Sequence, residues 1–334
     1  MDDESDSSPS LSPSVIADLS SSISGLDLEI TPASPPFDGP EGDVILRTSD
    51  SVDFWVLRAV LGLASPVFKT MFTLPQPTVK QEEQTQPPII PISELSRTID
   101  LLLRLCYPIE APRLSDQGVT LIGDVLGAAL KYEIGAVVVR TRKALKKCAE
   151  RSSKNAIAAY AIACHLKLAD EARVAAMACL KWPFPGPTVP QLALMSGLDY
   201  YNLLQYHRKV AESIVGLFTK NRYIFVTSTC APINPRSHTC SGSKKLSYTI
   251  NNEIIDVVEY IWWSSSKTVL CEVFKVSPLA TEKLSLWTLA PILEATECHI
   301  CKNTFLHGWD KAREAIIAEM RKKAVKVELS LSWK

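Results

Sequence analysis

The sequence predicts an α+β fold: a short β-sheet flanked by helices, followed by a mostly α-helical C-terminal region. Three observations predict it. Residues 43–72, DVILRTSDSVDFWVLRAVLGLASPVFKTMF, hold two short extended runs around a cluster of turn formers, then two helix signals. Most of residues 93–219 repeats apolar side chains at helical spacing. The first 42 residues have a different composition, rich in Ser, Pro and Asp.

That opening stretch holds nine acids (Asp2, Asp3, Glu4, Asp6, Asp18, Asp27, Glu29, Asp38, Glu41) and no Lys or Arg. It has too little apolar surface to offset the entropy of ordering, so 1–42 reads as a disordered acidic tail. Ser8-Pro9, Ser12-Pro13 and Ser34-Pro35 would be its phosphorylation or docking points if it is more than a passive tail. The sheet starts with Val44 to Leu46. Thr48, Ser49, Asp50 and Ser51 make the turn, and Val52, Phe54 and Val56 then share one face at period two. Ser65-Pro66 opens a helix, the serine as N-cap and the proline at the first helical position.

The polar, proline-rich 74–88 reads as a surface loop. Beyond it, Ile89 to Leu95 reads as a third strand, with a helix starting near Ser93. That helix aligns Leu95, Ile99, Leu102, Leu103 and Cys106 on one face and ends by Pro108. Leu121 to Lys131 and Gly135 to Lys147 give two more helices; Lys143, Lys146 and Lys147 suit the negative end of the second. An alanine-rich helical pair spans Lys154 to Leu180, with Asp170 as a candidate cap. The run WPFPGP at 182–187 stops it, and helical patterns resume from Thr188 and over Leu203 to Thr219. YIFVTSTC from Tyr223 is β-like, 231–245 reads as a loop, Asn252 to Trp263 as an apolar helix, and Leu306 to Lys326 as the last helix.

The motifs around the hairpin are specific. Asp43-Val44-Ile45-Leu46, Phe54-Trp55-Val56, the run from Val60 to Pro66, and Phe68-Lys69-Thr70-Met71-Phe72 together resemble the opening of a BTB/POZ domain. RTIDLLLRLCYP at 97–108 looks like the third helix of the same domain. The whole arrangement is similar to the fungal set of BTB-domain proteins. One departure is Leu57, where many such domains have His after the Phe-x-Val. The resemblance implies four parts: the tail 1–42, a BTB/POZ domain 43–150, a BACK-like helical extension 151–220, and a mainly helical 221–334 with a Cys cluster.

Composition excludes some functions. The 334 residues are 46% apolar and 22% charged with zero formal net charge, an ordinary soluble composition long enough for two domains. No eighteen-residue apolar run supports a membrane span, and the acidic N-terminus is unlike a signal peptide. Nine cysteines, an odd number, are expected to be reduced thiols in the cytoplasm or nucleus. Beyond residue 42 the chain carries 36 bases against 27 acids. That excess is mild and lacks interleaved aromatics, so no direct nucleic-acid binding is expected. There is no G-x-S-x-G, H-E-x-x-H, Walker loop or strand-linked G-x-G-x-x-G, and no enzyme class is supported.

Metal-ligand spacing occurs once, at Cys298-His299-Ile300-Cys301. A tetrahedral zinc site needs four soft donors. Cys230 and Cys240 would supply the other two, with His238 as substitute, although nine residues separate the upstream cysteines. The alternatives are a structural zinc or plain reduced thiols. His165 reads as a core or boundary residue and His207 as partly exposed.

The resemblance implies a non-enzymatic protein–protein interaction module acting through self-association or partner recruitment. Family members usually pair through the first helix and the neighbouring strand, which implicates Trp55, Leu57, Val60, Leu61 and Leu63, along with Val56. Trp55 and Leu57 alternate with Phe54 and Val56, so the four cannot all enter one core. A cullin-type ubiquitin ligase adaptor would use Met71, Phe72 and the stretch near 91–95. A transcription-associated scaffold would act through its partners.

Overall fold

The computed structural model describes residues 29–74, 87–219, 243–250, 253–295 and 297–334. Their contacts form two units. One comprises the described residues of Met1–Pro112 with Asp124–Val138; the other is Arg113–Gly123 with Val139–Lys334.

The first unit holds a four-stranded sheet in the order β1-β3-β2-β4, from β1 (Thr31–Pro32), β2 (Val44–Arg47), β3 (Val52–Val56) and β4 (Ile89–Pro91). β2 and β3 form the expected antiparallel hairpin, with Leu46 opposite Phe54 and Val44 opposite Val56. β1 runs parallel to β3, and β4 parallel to β2. Ser51 takes φ 60 in the turn, and Thr48 N donates to Val52 O at 3.0 Å to close it. Arg47 donates two hydrogen bonds to the paired Asp53, at 2.7 and 2.8 Å. Phe54 and Val56 are buried on the face that the alternation assigns to them.

The sheet begins upstream of Asp43, where the sequence placed the end of a disordered tail. Residues 29–42 are held by the pairing of β1 with β3, where Thr31 N donates to Ser51 O and Ala33 N to Asp53 O, and by one aromatic side chain. Phe37 is buried, 6.2 Å from the Phe54 ring and edge-on to Tyr107 at 5.1 Å. Its carbonyl accepts from Trp55 N at 2.9 Å. The Arg104 guanidinium lies over the Phe37 ring and donates to Pro35 O at 2.6 Å. Gly42 lets the backbone approach β3 so closely that a Cβ there would lie 2.5 Å from Val56 N.

Two short helices follow, α1 (Arg58–Ala64) and α2 (Pro66–Thr73). Asp43 Oδ1 accepts from Arg58 N at 2.7 Å and Tyr107 Oη accepts from Leu57 N at 2.8 Å, so the start of α1 is held from two sides. Ser65 caps α2 as expected, accepting from Phe68 N at 3.0 Å, and its hydroxyl also donates to Tyr132 O at 2.5 Å. α3 (Ser96–Cys106) starts three residues after the expected Ser93. Its first turn is held by Asp50, which accepts from Ser96 N and Oγ at 2.8 and 2.6 Å. Leu95 and Cys106 stay outside the buried face, which Ile99, Leu101, Leu102, Leu103 and Leu105 form. β4 is shorter than the run from Ile89 to Leu95 suggested.

Beyond these lie α4 (Val119–Lys131) and α5 (Gly135–Ala149). Immediately after α4, the Tyr132 ring stacks on Phe68 at 4.5 Å and its hydroxyl donates to Glu94 Oε2 at 2.7 Å. Lys131 donates to Glu94 Oε1 at 2.7 Å. Burial pushes the Glu94 carboxyl up, but these two donors outweigh it and hold it below the usual carboxylate range.

The second unit is mainly helical: α6 (Ser153–His165), α7 (Ala169–Cys179), α8 (Gly197–Thr219), α9 (Ile261–Val276), α10 (Leu286–Glu294) and α11 (His299–Lys326), with the hairpin β5 (Ser243–Ile250) and β6 (Glu253–Tyr260). The alanines of α6 and Ala172, Ala175, Ala176 and Ala178 of α7 are buried, as close helix approach requires. Asp170 is not the cap of α7. Leu168 holds that position, and Asp170 pairs with Arg173 at 3.4 Å. The carboxylate that matters is its neighbour Glu171, 1% exposed, which accepts from Arg142 at 2.9 and 2.7 Å and pairs with Lys146 at 2.9 Å. Lys146 thus answers a buried charge as well as a helix end.

Residues 252–263 are not one helix. Glu253–Tyr260 is a strand paired with Ser243–Ile250, and the helix begins at Ile261. The β-branched Ile254, Ile255, Val257 and Val258 account for the strand. α11 starts at His299, seven residues before the expected Leu306. The β-like run from Tyr223 lies outside the described residues. His165 is exposed. His207, read as partly exposed, is buried on α8 and stacks on Phe184 at 5.2 Å. Leu203, His207, Val210, Ile214 and Leu217 form one heptad-spaced stripe that faces inward. Burial lowers the imidazole to about 4.

Two expectations follow. Ser65→Ala removes a cap and a buried donor together, and should lower unfolding stability by about 2 kcal/mol; an unchanged urea midpoint would count against this role. His207 has a folded pKa of about 4 against an ordinary 6.5. Its contribution is therefore full above pH 6.5 and disappears as pH falls from there through the folded value. At roughly 1.4 kcal/mol per unit this amounts to about 3 kcal/mol. Urea unfolding across that range should show the loss, and His207→Phe should flatten it.

Candidate functional site

The residues expected at a protein interface divide by orientation. Leu61 is fully buried, inside the first unit, and is not available to a partner. Leu63, two positions on, is 91% exposed, because residues two apart on a helix point to nearly opposite sides. Leu57, at the N-cap of α1, is 41% exposed. Val60 is half-buried, as is Trp55 on the β3 face opposite Phe54. Leu57, Val60 and Leu63, at successive spacings of three, give α1 an outward apolar stripe. The carboxylate of Asp43 and the phenol of Tyr107 fix its first turn.

Met71 and Phe72 are half-buried on α2. The Phe72 ring stacks on Phe68 at 5.8 Å and carries the Arg58 guanidinium at 6.0 Å. That cation on α1 went unnoticed in the sequence, although it lies in the same short run as the apolar residues. Ile89 was also missed as a surface group. On β4 it is 41% exposed while Ile90 is buried, a contrast that period-two alternation implies.

The four cysteines proposed as metal ligands are not brought together by anything described. Cys230 and Cys240 lie outside the described residues. Cys298 stands at the N-cap of α11 and Cys301 in its first turn. Among the described residues, no group of three or more His, Cys, Asp or Glu side chains is placed to hold a metal. Cys148, Cys164, Cys179 and Cys271 are buried, and burial pushes the Cys164 and Cys179 thiols up to about 12. Such thiols stay protonated and are poor nucleophiles. Among the described residues no helix is long and apolar enough to cross a membrane.

The arrangement offers an apolar helix face whose first turn is held by the Asp43 and Tyr107 side chains. No curated protein matches the chain. The family model of the BTB/POZ domain matches residues 40–149, and the chain carries there a BTB/POZ domain, a module that generally mediates protein–protein interaction.

Proposed function

We propose that this protein is a non-enzymatic interaction protein whose BTB/POZ domain associates with a second copy of itself through α1 and the adjoining end of β3. The observation that carries the reading is Leu63, 91% exposed on a helix whose start is pinned by two side chains. Leu57 and Val60 extend the same stripe, and Trp55 is half-buried on the adjoining β3. A twofold contact would use this stripe twice and bury each copy's Leu63 against the other. Action on intracellular partners, in cytoplasm or nucleus, accords with this reading.

Adaptor use toward a cullin is the weaker reading. Phe72 is drawn inward onto Phe68 and covered by Arg58, which leaves less of the α2 side free for docking. A role at chromatin would run through partners rather than through direct nucleic-acid contact.

Sedimentation of the full chain across a concentration series tests the proposal. The expected result is a reversible monomer–dimer equilibrium, shifted to monomer by Leu63→Glu. Leu63 is so exposed that the substitution should change folding stability by under about 0.5 kcal/mol. A wild-type monomer at every concentration, or a dimer indifferent to Leu63→Glu, would refute self-association through α1. Cullin capture that survives Leu63→Glu would support the adaptor reading instead.

A further inference from the structure

α1 and α2 carry an exposed apolar stripe, two cations and no acid. Leu57, Val60 and Leu63 form the stripe, with Leu57 41% and Leu63 91% exposed. Arg58 follows Leu57 in the chain. Lys69 of α2 is exposed and runs beside Gly62, where a Cβ would lie 3.8 Å from the Lys69 Cα and Cβ. Arg58 and Lys69 are the charged residues of the two helices, RAVLGLA and PVFKTMFT. The same face of a second copy brings cations of its own and no acid to answer them. An occupant that is apolar along one side and acidic along another fits this face better.

The chain itself holds a segment of that chemistry. Residues 1–28 contain Asp2, Asp3, Glu4, Asp6, Asp18 and Asp27 and no Lys or Arg. Ile16, Leu19, Ile23 and Leu26 recur at spacings of three, four and three, the pattern that aligns apolar side chains on one side of a helix. Asp18 and Asp27 adjoin Leu19 and Leu26. Reach is sufficient. Thr31 pairs with Val52 at the start of β3. The path from there along β3 and α1 to Leu63 is at most about 30 Å, at about 3.3 Å per strand residue and about 1.5 Å per helical residue. Leu19 stands twelve residues before Thr31, a stretch that spans up to about 40 Å. A tethered segment acts at an effective concentration on the order of millimolar, so a contact too weak to form between separate molecules suffices. Residues 29–42 set a precedent, since a tail-like composition is held where β3 offers it a strand and Phe54 a surface for Phe37. We propose that residues 15–28 dock on the α1 stripe of their own chain, their apolar side chains against Leu57, Val60 and Leu63 and their acids answering Arg58 and Lys69. The docked segment competes with a second copy for one surface, so it sets the concentration at which the chain dimerises. That regulatory part rests on the self-association reading; the contact itself does not.

Photo-cross-linking of the full chain tests the contact. p-Benzoylphenylalanine in place of Leu19, illuminated at high dilution in an equal mixture of light and isotope-heavy chains, should give cross-links within one chain to residues 57–73. Leu63→Glu should remove them, and raised salt should weaken them by screening the charges. Cross-links to other residues, between chains alone, or none would overturn the proposal. Sedimentation then reads the competition. Leu19→Glu combined with Ile23→Glu should lower the dimer dissociation constant about tenfold or more, because the competing state is lost. A wild-type dimer that is no tighter in this double variant would overturn the proposal. Cross-links to 57–73 in a chain that stays monomeric even as the double variant would uphold the docking and refute only self-association.

Discussion

The first unit depends on what surrounds Tyr132. Its ring lies flat on Phe68 of α2, its carbonyl accepts from Ser65 at the junction of α1 and α2, and its hydroxyl donates to Glu94. Glu94 in turn receives Lys131 on its carboxylate and the Ser49 N–H and hydroxyl on its backbone carbonyl. The hairpin turn, the helical pair and the segment before α3 are thus referred to one aromatic side chain. Burial and the neighbouring carboxylate push the Tyr132 phenol up, so it remains a neutral donor. Each polar group in this network has a partner, which a buried network requires if it is to stabilise a fold.

That network decides which way α1 faces. With Ser65 fixed at its end and Asp43 and Tyr107 at its beginning, α1 cannot rotate to hide a different side. Leu61 enters the core and Leu63 is left in water. A single exposed leucine is ordinary on a protein surface. Here it stands in line with Leu57 and Val60 on a helix held at both ends, and an apolar group on a fixed support would lose little entropy on binding. The second unit differs in kind. Its helices meet through buried alanines, and its buried charge, Glu171, is neutralised by Arg142 and Lys146.

Local chemistry made much of this legible from sequence. The hairpin was readable because four turn formers separate two alternating runs, and the Ser65-Pro66 start because cap and proline act on adjacent residues. Three features were not readable for physical reasons. Residues 29–42 have a tail-like composition, yet strand pairing with β3 and the burial of Phe37 against Phe54 and Tyr107 hold them, contacts with residues distant in sequence. The strand at Glu253–Tyr260 was hidden by an apolar run that suits helix and strand alike until its β-branched content is weighed. His207 sits beside the charged Arg208 and Lys209, which suggested exposure, whereas its heptad spacing from Leu203 and Val210 places it inside. Of the residues expected at an interface, types were readable but orientation was not. Leu61 and Leu63 differ only in which side of one turn they occupy, and side chains distant in sequence set that.

Amide hydrogen exchange of the full chain, compared at about 1 µM and about 50 µM protein, tests the central claim most directly, because only association changes with concentration. The account predicts added protection in residues 55–64 at the higher concentration, with the hydrogen-bonded interior around Tyr132 unchanged. Exchange in that segment independent of concentration, or protection rising elsewhere instead, would contradict it.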